Sequence, residues 1–132
     1  MNLTNKSLLN LINRIGELKS KKMPFAISRS LILTHKAALE NYAVYEEQLK
    51  ALFEEYASRD KDGNIVCESN GLPKIDSEQI QNFNTALNEL LNLSININEC
   101  SFDPSVLDSW DDNKYDVLTP DELEILMMLA SS

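Results

Sequence analysis

Apolar residues recur every three or four positions near the start of the chain, which predicts an amphipathic helix. The repeating apolar positions are Leu8, Leu11, Ile12, Ile15 and Leu18. Thr4 or Asn5 is suited to cap this helix, because a short polar side chain accepts a hydrogen bond from a backbone N–H of the first turn. The helix is expected to end within Lys19–Lys22, since cations are favourable at the negative end of a helix.

A longer pattern predicts a second helix from about Pro24 to Ser58. Its core-facing positions alternate in steps of four and three: Leu31, His35, Ala38, Tyr42, Tyr45, Leu49, Leu52 and Tyr56. The first helix is about half as long, so it covers only the first half of this pattern, as an antiparallel αα-hairpin. The other half requires either a third helix or a second chain. A homo-oligomer formed through the long helix is therefore one open alternative.

Shorter patterns predict a small sheet. Ile65–Cys67 and Leu72–Ile75 flank a glycine turn and are typical of a β-hairpin. Strict alternation in Leu93–Asn98 predicts a strand with its leucine and two isoleucines facing inward. We expect these segments to form an antiparallel sheet of two or three strands.

Capping signals mark the remaining helices. Asp76 followed by Gln79 predicts the start of a third helix, and a one-turn helix is expected around 103–107. Thr119, with a proline after it and Glu122 three residues on, predicts a final helix. Its expected buried face is Leu123, Leu126, Met127 and Ala130. The predicted fold class is α+β and mostly helical, with one long helix in an αα-hairpin, a small antiparallel sheet and two further helices, in a single domain over residues 1–132.

Charge is distributed unevenly along the chain. The net charge is −9 over 132 residues, yet residues 1–36 carry seven basic side chains and one acidic one. Glu99–Glu124 carries nine acidic side chains and a single lysine, Lys114. An acidic field of this kind repels nucleic acids and membrane surfaces and attracts basic partners. The alternative is that the acidic surface serves only solubility.

The composition and the first residues of the chain bear on where the protein is expected to be located. The chain is 43% hydrophobic and 25% charged, which is typical of a globular domain. No apolar run is long enough to span a bilayer, and the first residues lack the features of a signal peptide. We therefore expect the cytoplasm of a bacterial host cell as the location, with association with a virion as a further alternative. Cys67 and Cys100 are expected to be free thiols.

No arrangement of residues indicates catalysis, a cofactor or a metal. Asp60–Gly71 resembles a calcium loop at its start, but Ile65 occupies the position of the required glycine and Gly71 that of the required glutamate. The single histidine, His35, belongs to the heptad pattern and is expected to be structural. The sequence thus predicts a non-enzymatic protein without cofactors.

One loop stands out as a candidate partner-binding site, and its residues are Asp108, Trp110, Asp111, Asp112 and Asp116. The tryptophan is either a plug over the core or an exposed anchor, and the sequence leaves both open. In a binding surface, the tryptophan would supply apolar contact and the aspartates would steer a basic partner, mainly through the association rate.

A series of short motifs covers almost the whole chain. The motifs are Leu3–Asn5 followed by Leu8, Lys21–Pro24, a long acidic helix ending near Tyr56, Asp62–Asn64, Ile95 with Ile97, and Leu118–Leu123. In this order they resemble a family of small proteins encoded by temperate phages of Gram-positive bacteria, relative to which the Trp110 loop is an insertion. Each motif is a cap or a turn, and the family has no established activity, so the resemblance transfers no functional residue.

Two functional hypotheses follow. The first is a phage-encoded accessory protein that binds another protein, in virion assembly or the late-gene region. The second is an anti-defence inhibitor, similar to an anti-CRISPR protein, whose acidic C-terminal surface mimics nucleic acid and blocks a basic nuclease channel. Neither hypothesis includes direct binding to nucleic acid or to a membrane.

Overall fold

The computed structural model describes residues 1–130 and confirms an α+β fold that is mostly helical. The elements in chain order are β1 (Asn2–Thr4), α1 (Asn5–Leu18), α2 (Phe25–Tyr56), α3 (Ile80–Leu91), β2 (Ser94–Asn96), α4 (Ser105–Asp108) and α5 (Pro120–Leu129). Within the described residues, no helix combines the length and apolar character needed to cross a membrane.

The chain divides into two compact units. The first unit contains Met1–Tyr42 and the chain from Ser94 onward, and the second unit contains Ala43–Leu93. Helix α2 contributes its first part to the first unit and the rest to the second. The single domain over residues 1–132 stays a prediction.

The first unit is built around the predicted stripe of α1. Thr4 caps this helix as expected, since its hydroxyl accepts a hydrogen bond from the Ser7 N–H at 3.1 Å. Leu8, Ile15 and Leu18 are almost completely buried in one apolar cluster, which also contains Ile27, Leu31 and Ala38 from the first part of α2. Burial of these side chains is the main force that holds α1 and α2 together.

The sheet has two strands, and one of them was not predicted. β2 lies inside the predicted strand, but it pairs antiparallel with β1, with Leu3 opposite Ile95. The expectation that this strand lies in one sheet with Ile65–Cys67 was wrong, because the sheet consists of β1 and β2. Ile97 is 1% exposed, as an inward-facing residue should be, whereas Leu93 is 46% exposed. Leu93 departs from the predicted alternating burial because it lies before Ser94, the first residue that pairs with β1.

The last helix begins as predicted and buries a different face. Thr119 and Glu122 form the reciprocal capping box. Of the expected core positions only Leu126 is fully buried, with Ile125 and Leu129 as its buried neighbours, whereas Met127 is 62% exposed. Most of this helix is apolar, so its sequence offers more than one possible buried face, and packing against the core selects one of them.

In the second unit, α3 packs against the last part of α2 through aromatic rings. The Phe83 ring centroid lies 5.1 Å from that of Phe53 and 6.1 Å from that of Tyr56. Helix α3 begins at Ile80, later than the predicted start at Asp76. Gln79 occupies the N-cap position, and the Asp76 carboxylate accepts a hydrogen bond from the Ser58 hydroxyl at 2.7 Å.

Three extended segments lie between α2 and α3: 57–59, 65–67 and 73–75, of which the last two belong to the predicted hairpin. Each segment forms single bridges with both of the others, such as Cys67 with Pro73. The Val66 N–H donates to Ser58, the Lys74 N–H to Val66, and the Ser58 N–H to Lys74, all at 2.8–2.9 Å. The donors therefore recur every eight residues and close a ring. The two segments of the predicted hairpin do pair antiparallel, and the Glu68 N–H also donates to the Leu72 carbonyl at 2.8 Å. They form a single bridge and no continuous strand, because the third segment shares their backbone hydrogen bonds.

Candidate functional site

The candidate loop begins at Asp108, the last residue of α4, and Trp110 anchors it to the core. The side chain is partly buried against the apolar core of the first unit. Its indole N–H donates to the Asp116 carbonyl at 3.2 Å, and its ring lies 5.4 Å from the ring of Tyr115. Of the two alternatives left open by the sequence, this geometry corresponds to a plug over the core.

Two of the candidate aspartates help to shape the loop. The Asp111 carboxylate accepts the Asn113 N–H at 3.0 Å, and its carbonyl accepts the N–H of Tyr115. The Asp116 carboxylate accepts the Lys22 N–H at 2.7 Å, while the Asp116 N–H donates to the Lys22 carbonyl at 3.0 Å. These contacts fix the acidic loop to the basic turn between α1 and α2.

The other two aspartates are exposed to solvent. Within residues 1–130, no hydrogen bond or salt bridge engages the side chains of Asp108 and Asp112. The loop therefore presents two uncompensated carboxylates on a segment that Trp110 and Asp116 hold in place. Such a segment can receive cationic side chains without first being ordered, which lowers the entropic cost of binding.

Elsewhere in the first unit, the acidic end of the sequence neutralises the basic start. The Glu122 carboxylate lies 2.5 Å from the Lys21 ammonium and accepts the Thr119 N–H at 2.9 Å. Burial alone would raise the pKa of Glu122, but the hydrogen bonds from Lys21 and Thr119 outweigh it and lower this pKa. Glu99 likewise accepts the amino group of Met1 at 2.7 Å, which lowers the pKa of this carboxyl.

The two units also differ in formal net charge. Counted over its sequence, the first unit carries eleven acidic and eight basic side chains, a net charge of −3. The second unit carries ten acidic and four basic side chains over Ala43–Leu93, a net charge of −6. The second unit is therefore the more acidic of the two.

A surface groove of about 390 Å³ runs between the last part of α2 and α3 in this unit. Its lining residues are Gln48, Ala51, Leu52 and Glu55 from α2, Ala86, Glu89 and Leu90 from α3, and Leu93 just after α3. The spacing on each helix is three to four residues, so each helix presents one continuous face to the groove. Sequence reasoning missed this site, because its apolar residues are indistinguishable from core positions.

The structure also describes the three other features that the sequence singled out: the histidine, the turn that begins at Asp60, and the two cysteines. His35 is partly buried, and burial together with the nearby Lys19 ammonium lowers its pKa, which favours the neutral imidazole. The Lys19 ammonium lies 3.3 Å from the imidazole Nδ1, which can accept its hydrogen bond. The Asp60 carboxylate accepts the backbone N–H groups of Asp62 and Asn64 and thereby shapes a turn. Both cysteines, Cys67 and Cys100, are free thiols.

Within residues 1–130, no group of three or more His, Cys, Asp or Glu side chains is placed to hold a metal ion. Comparison with known proteins gave no match to a family model, to a curated protein or to a solved structure. The functional argument therefore depends on the surfaces of this chain alone.

Proposed function

We propose that this protein is a non-enzymatic phage accessory protein that binds a protein partner through acidic surfaces, in virion assembly or the late-gene region. The observation that carries the binding role is the fixed loop that presents Asp108 and Asp112. The Trp110 plug and the contacts between Asp116 and Lys22 hold this loop on the core. The phage setting is supported by the sequence motifs alone.

The loop contributes steering more than affinity. Exposed charge pairs contribute only about 0–1 kcal/mol each, but they raise association rates and confer a dependence on salt. Trp110 supports the loop from below, so the apolar contact with a partner must come largely from other residues. The proposal thus separates a steering loop from an apolar docking surface.

The test begins with capture of partners from phage-infected cells, using the wild-type protein as bait. The association rate of a captured basic protein is then measured against Asp108→Asn/Asp112→Asn and a matched control, Glu17→Gln/Glu40→Gln, which removes the same charge elsewhere in the first unit. We expect the loop variant to lower the association rate about two- to tenfold and to reduce its salt dependence, and the control to change little. A protein that stays monomeric and captures nothing basic or helical would contradict the proposal.

The nucleic-acid mimic receives less support from the same geometry. A mimic requires an array of free carboxylates, whereas Glu99, Asp116 and Glu122 are engaged within the first unit. If a captured partner proved to be a nuclease, inhibition that weakens steeply with salt would favour this alternative.

A further inference from the structure

The groove between α2 and α3 has a partly apolar lining, to which each helix contributes an alanine. Ala51 and Ala86 leave space where larger side chains would fill the gap, and Leu52, Leu90 and Leu93 complete the apolar lining. Leu93 is 46% exposed, although leucine is among the residues most often buried in folded proteins. The packing of the two helices is already secured by Phe83 against Phe53, so the groove is additional to the core.

The rim of the groove is acidic on both helices. Glu55 of α2 and Glu89 of α3 are exposed and line the opening together with Gln48. No lysine or arginine lines it within the described residues. With a net charge of −6 over the second unit, the groove attracts a partner that is apolar at its centre and cationic at its edges.

The groove has the length of a short helical contact. Gln48 and Glu55 are seven residues apart on α2, a distance of about 10 Å along a helix. A third helix lying there would contact both α2 and α3 over about two turns, as in a helix-in-groove complex. A second copy of this chain is a poor occupant, because each copy carries a net charge of −9.

We infer that the groove between α2 and α3 binds an amphipathic helix of the partner, with apolar side chains at three- and four-residue spacing and flanking lysines or arginines. The inference rests on the proposed function and assigns the apolar docking surface that the loop at Asp108 and Asp112 lacks. The apolar side chains enter above Ala51 and Ala86, and the cations lie beside Glu55 and Glu89.

The test uses a fluorescent peptide of about 18 residues, with leucines at the stated spacing and lysines beside them, measured by anisotropy against the full chain. A second peptide carries glutamates in place of the lysines. We expect the lysine peptide to bind at least about tenfold more tightly. Equal binding of the two peptides, or no binding of the lysine peptide, would overturn the inference.

Two pairs of variants locate the binding. Ala51→Leu fills the groove without changing charge, and Ala43→Leu makes the same change at an exposed position of α2 outside it. We expect Ala51→Leu to weaken the lysine peptide about tenfold or more, and Ala43→Leu to leave it unchanged. Leucine has nearly the helix propensity of alanine, so circular dichroism should show two folded proteins. Equal affinity of the two variants would overturn the inference.

The second pair tests the rim. Glu55→Gln/Glu89→Gln should weaken the lysine peptide about three- to tenfold at low salt. Glu47→Gln/Glu54→Gln removes the same charge from α2 outside the lining and should have a smaller effect. Equal effects of the two double variants would show a general field and overturn the assignment of the rim.

The experiments distinguish a wrong assignment of the groove from a wrong proposed function. Asp108→Asn/Asp112→Asn should leave the affinity of the lysine peptide nearly unchanged, because the loop lies outside the groove. If Ala51→Leu has no effect while the loop variant still slows a captured partner, only the groove assignment falls. Dimerisation in sedimentation that Ala51→Leu abolishes would instead assign the groove to a second copy and overturn the inference.

Discussion

Replacing Trp110 tests whether this residue is a structural plug. A tryptophan buries roughly 150–250 Å², and the lower end applies because Trp110 is only partly buried. At about 25 cal/mol per Å² this burial corresponds to about 4 kcal/mol, an upper bound because the unfolded chain already buries some surface. Alanine retains part of that burial, so we expect Trp110→Ala to lower the free energy of unfolding by about 3 kcal/mol.

A conservative variant separates the ring from its hydrogen bond. Trp110→Phe keeps an aromatic ring beside Tyr115 but loses the indole N–H that donates to the Asp116 carbonyl. The expected cost is about 1 kcal/mol, the net contribution of a typical hydrogen bond. Urea unfolding followed by circular dichroism measures both variants without relying on tryptophan fluorescence. If Trp110→Ala lowers the free energy of unfolding by less than about 1 kcal/mol, Trp110 is not a structural plug, and the alternative of an exposed anchor is favoured.

Two further predictions concern the backbone and pH. Gly71 has a φ of +84°, so Gly71→Ala should destabilise the protein by about 1–2 kcal/mol. Gly16 lies in open space on α1, so Gly16→Ala should stabilise the protein by about 0.5–1 kcal/mol. Thermal unfolding measures both variants, and a stabilised Gly71→Ala would contradict the ring geometry. The lowered pKa of Glu122 means that its contribution to stability is present above its ordinary pKa of 4.5 and is lost as pH falls through the folded value. Glu122→Gln should therefore lose less stability than the wild type between about pH 5 and pH 3, and identical losses in urea titrations would contradict this.

The sequence predicted the helices well where local signals were strong. Thr4 and the Thr119–Glu122 capping box begin their helices as expected, because caps depend on residues only three positions apart. Asp76 carries the same kind of signal but bonds to Ser58, eighteen residues away. A partner that distant in the sequence is invisible to a capping pattern.

Strand partners were the least predictable part of the fold. The segment containing Ile95 was correctly expected to be extended, but its partner Leu3 lies in a three-residue strand too short to show alternation. The ring through Ser58, Val66 and Lys74 likewise depends on contacts among three segments. Register and pairing of this kind are set by tertiary packing, which local patterns do not contain.

The candidate site was only partly predictable for a related reason. Counting charges along the sequence located the acidic residues, but it could not tell that Asp116 and Glu122 are engaged with the basic turn. Nor could it tell that Asp108 and Asp112 have no side-chain partner among residues 1–130. It also could not distinguish the groove face of α3 from a core face, since Leu90 serves the same pattern in both. Only the folded structure distinguishes carboxylates that bond within the protein from carboxylates that are open to a partner.

The most direct test of the account is a titration of the ¹⁵N-labelled protein with the lysine peptide, followed by amide chemical shifts. The account predicts saturable shifts concentrated in residues 48–55 of α2 and in residues 86–93, at and just after the end of α3. It also predicts that these shifts are lost in Ala51→Leu. Small, non-saturating shifts spread over all exposed acidic residues would show that the peptide only samples a negative surface. That result, or the absence of any shift, would contradict the claim that this protein binds a basic helical partner.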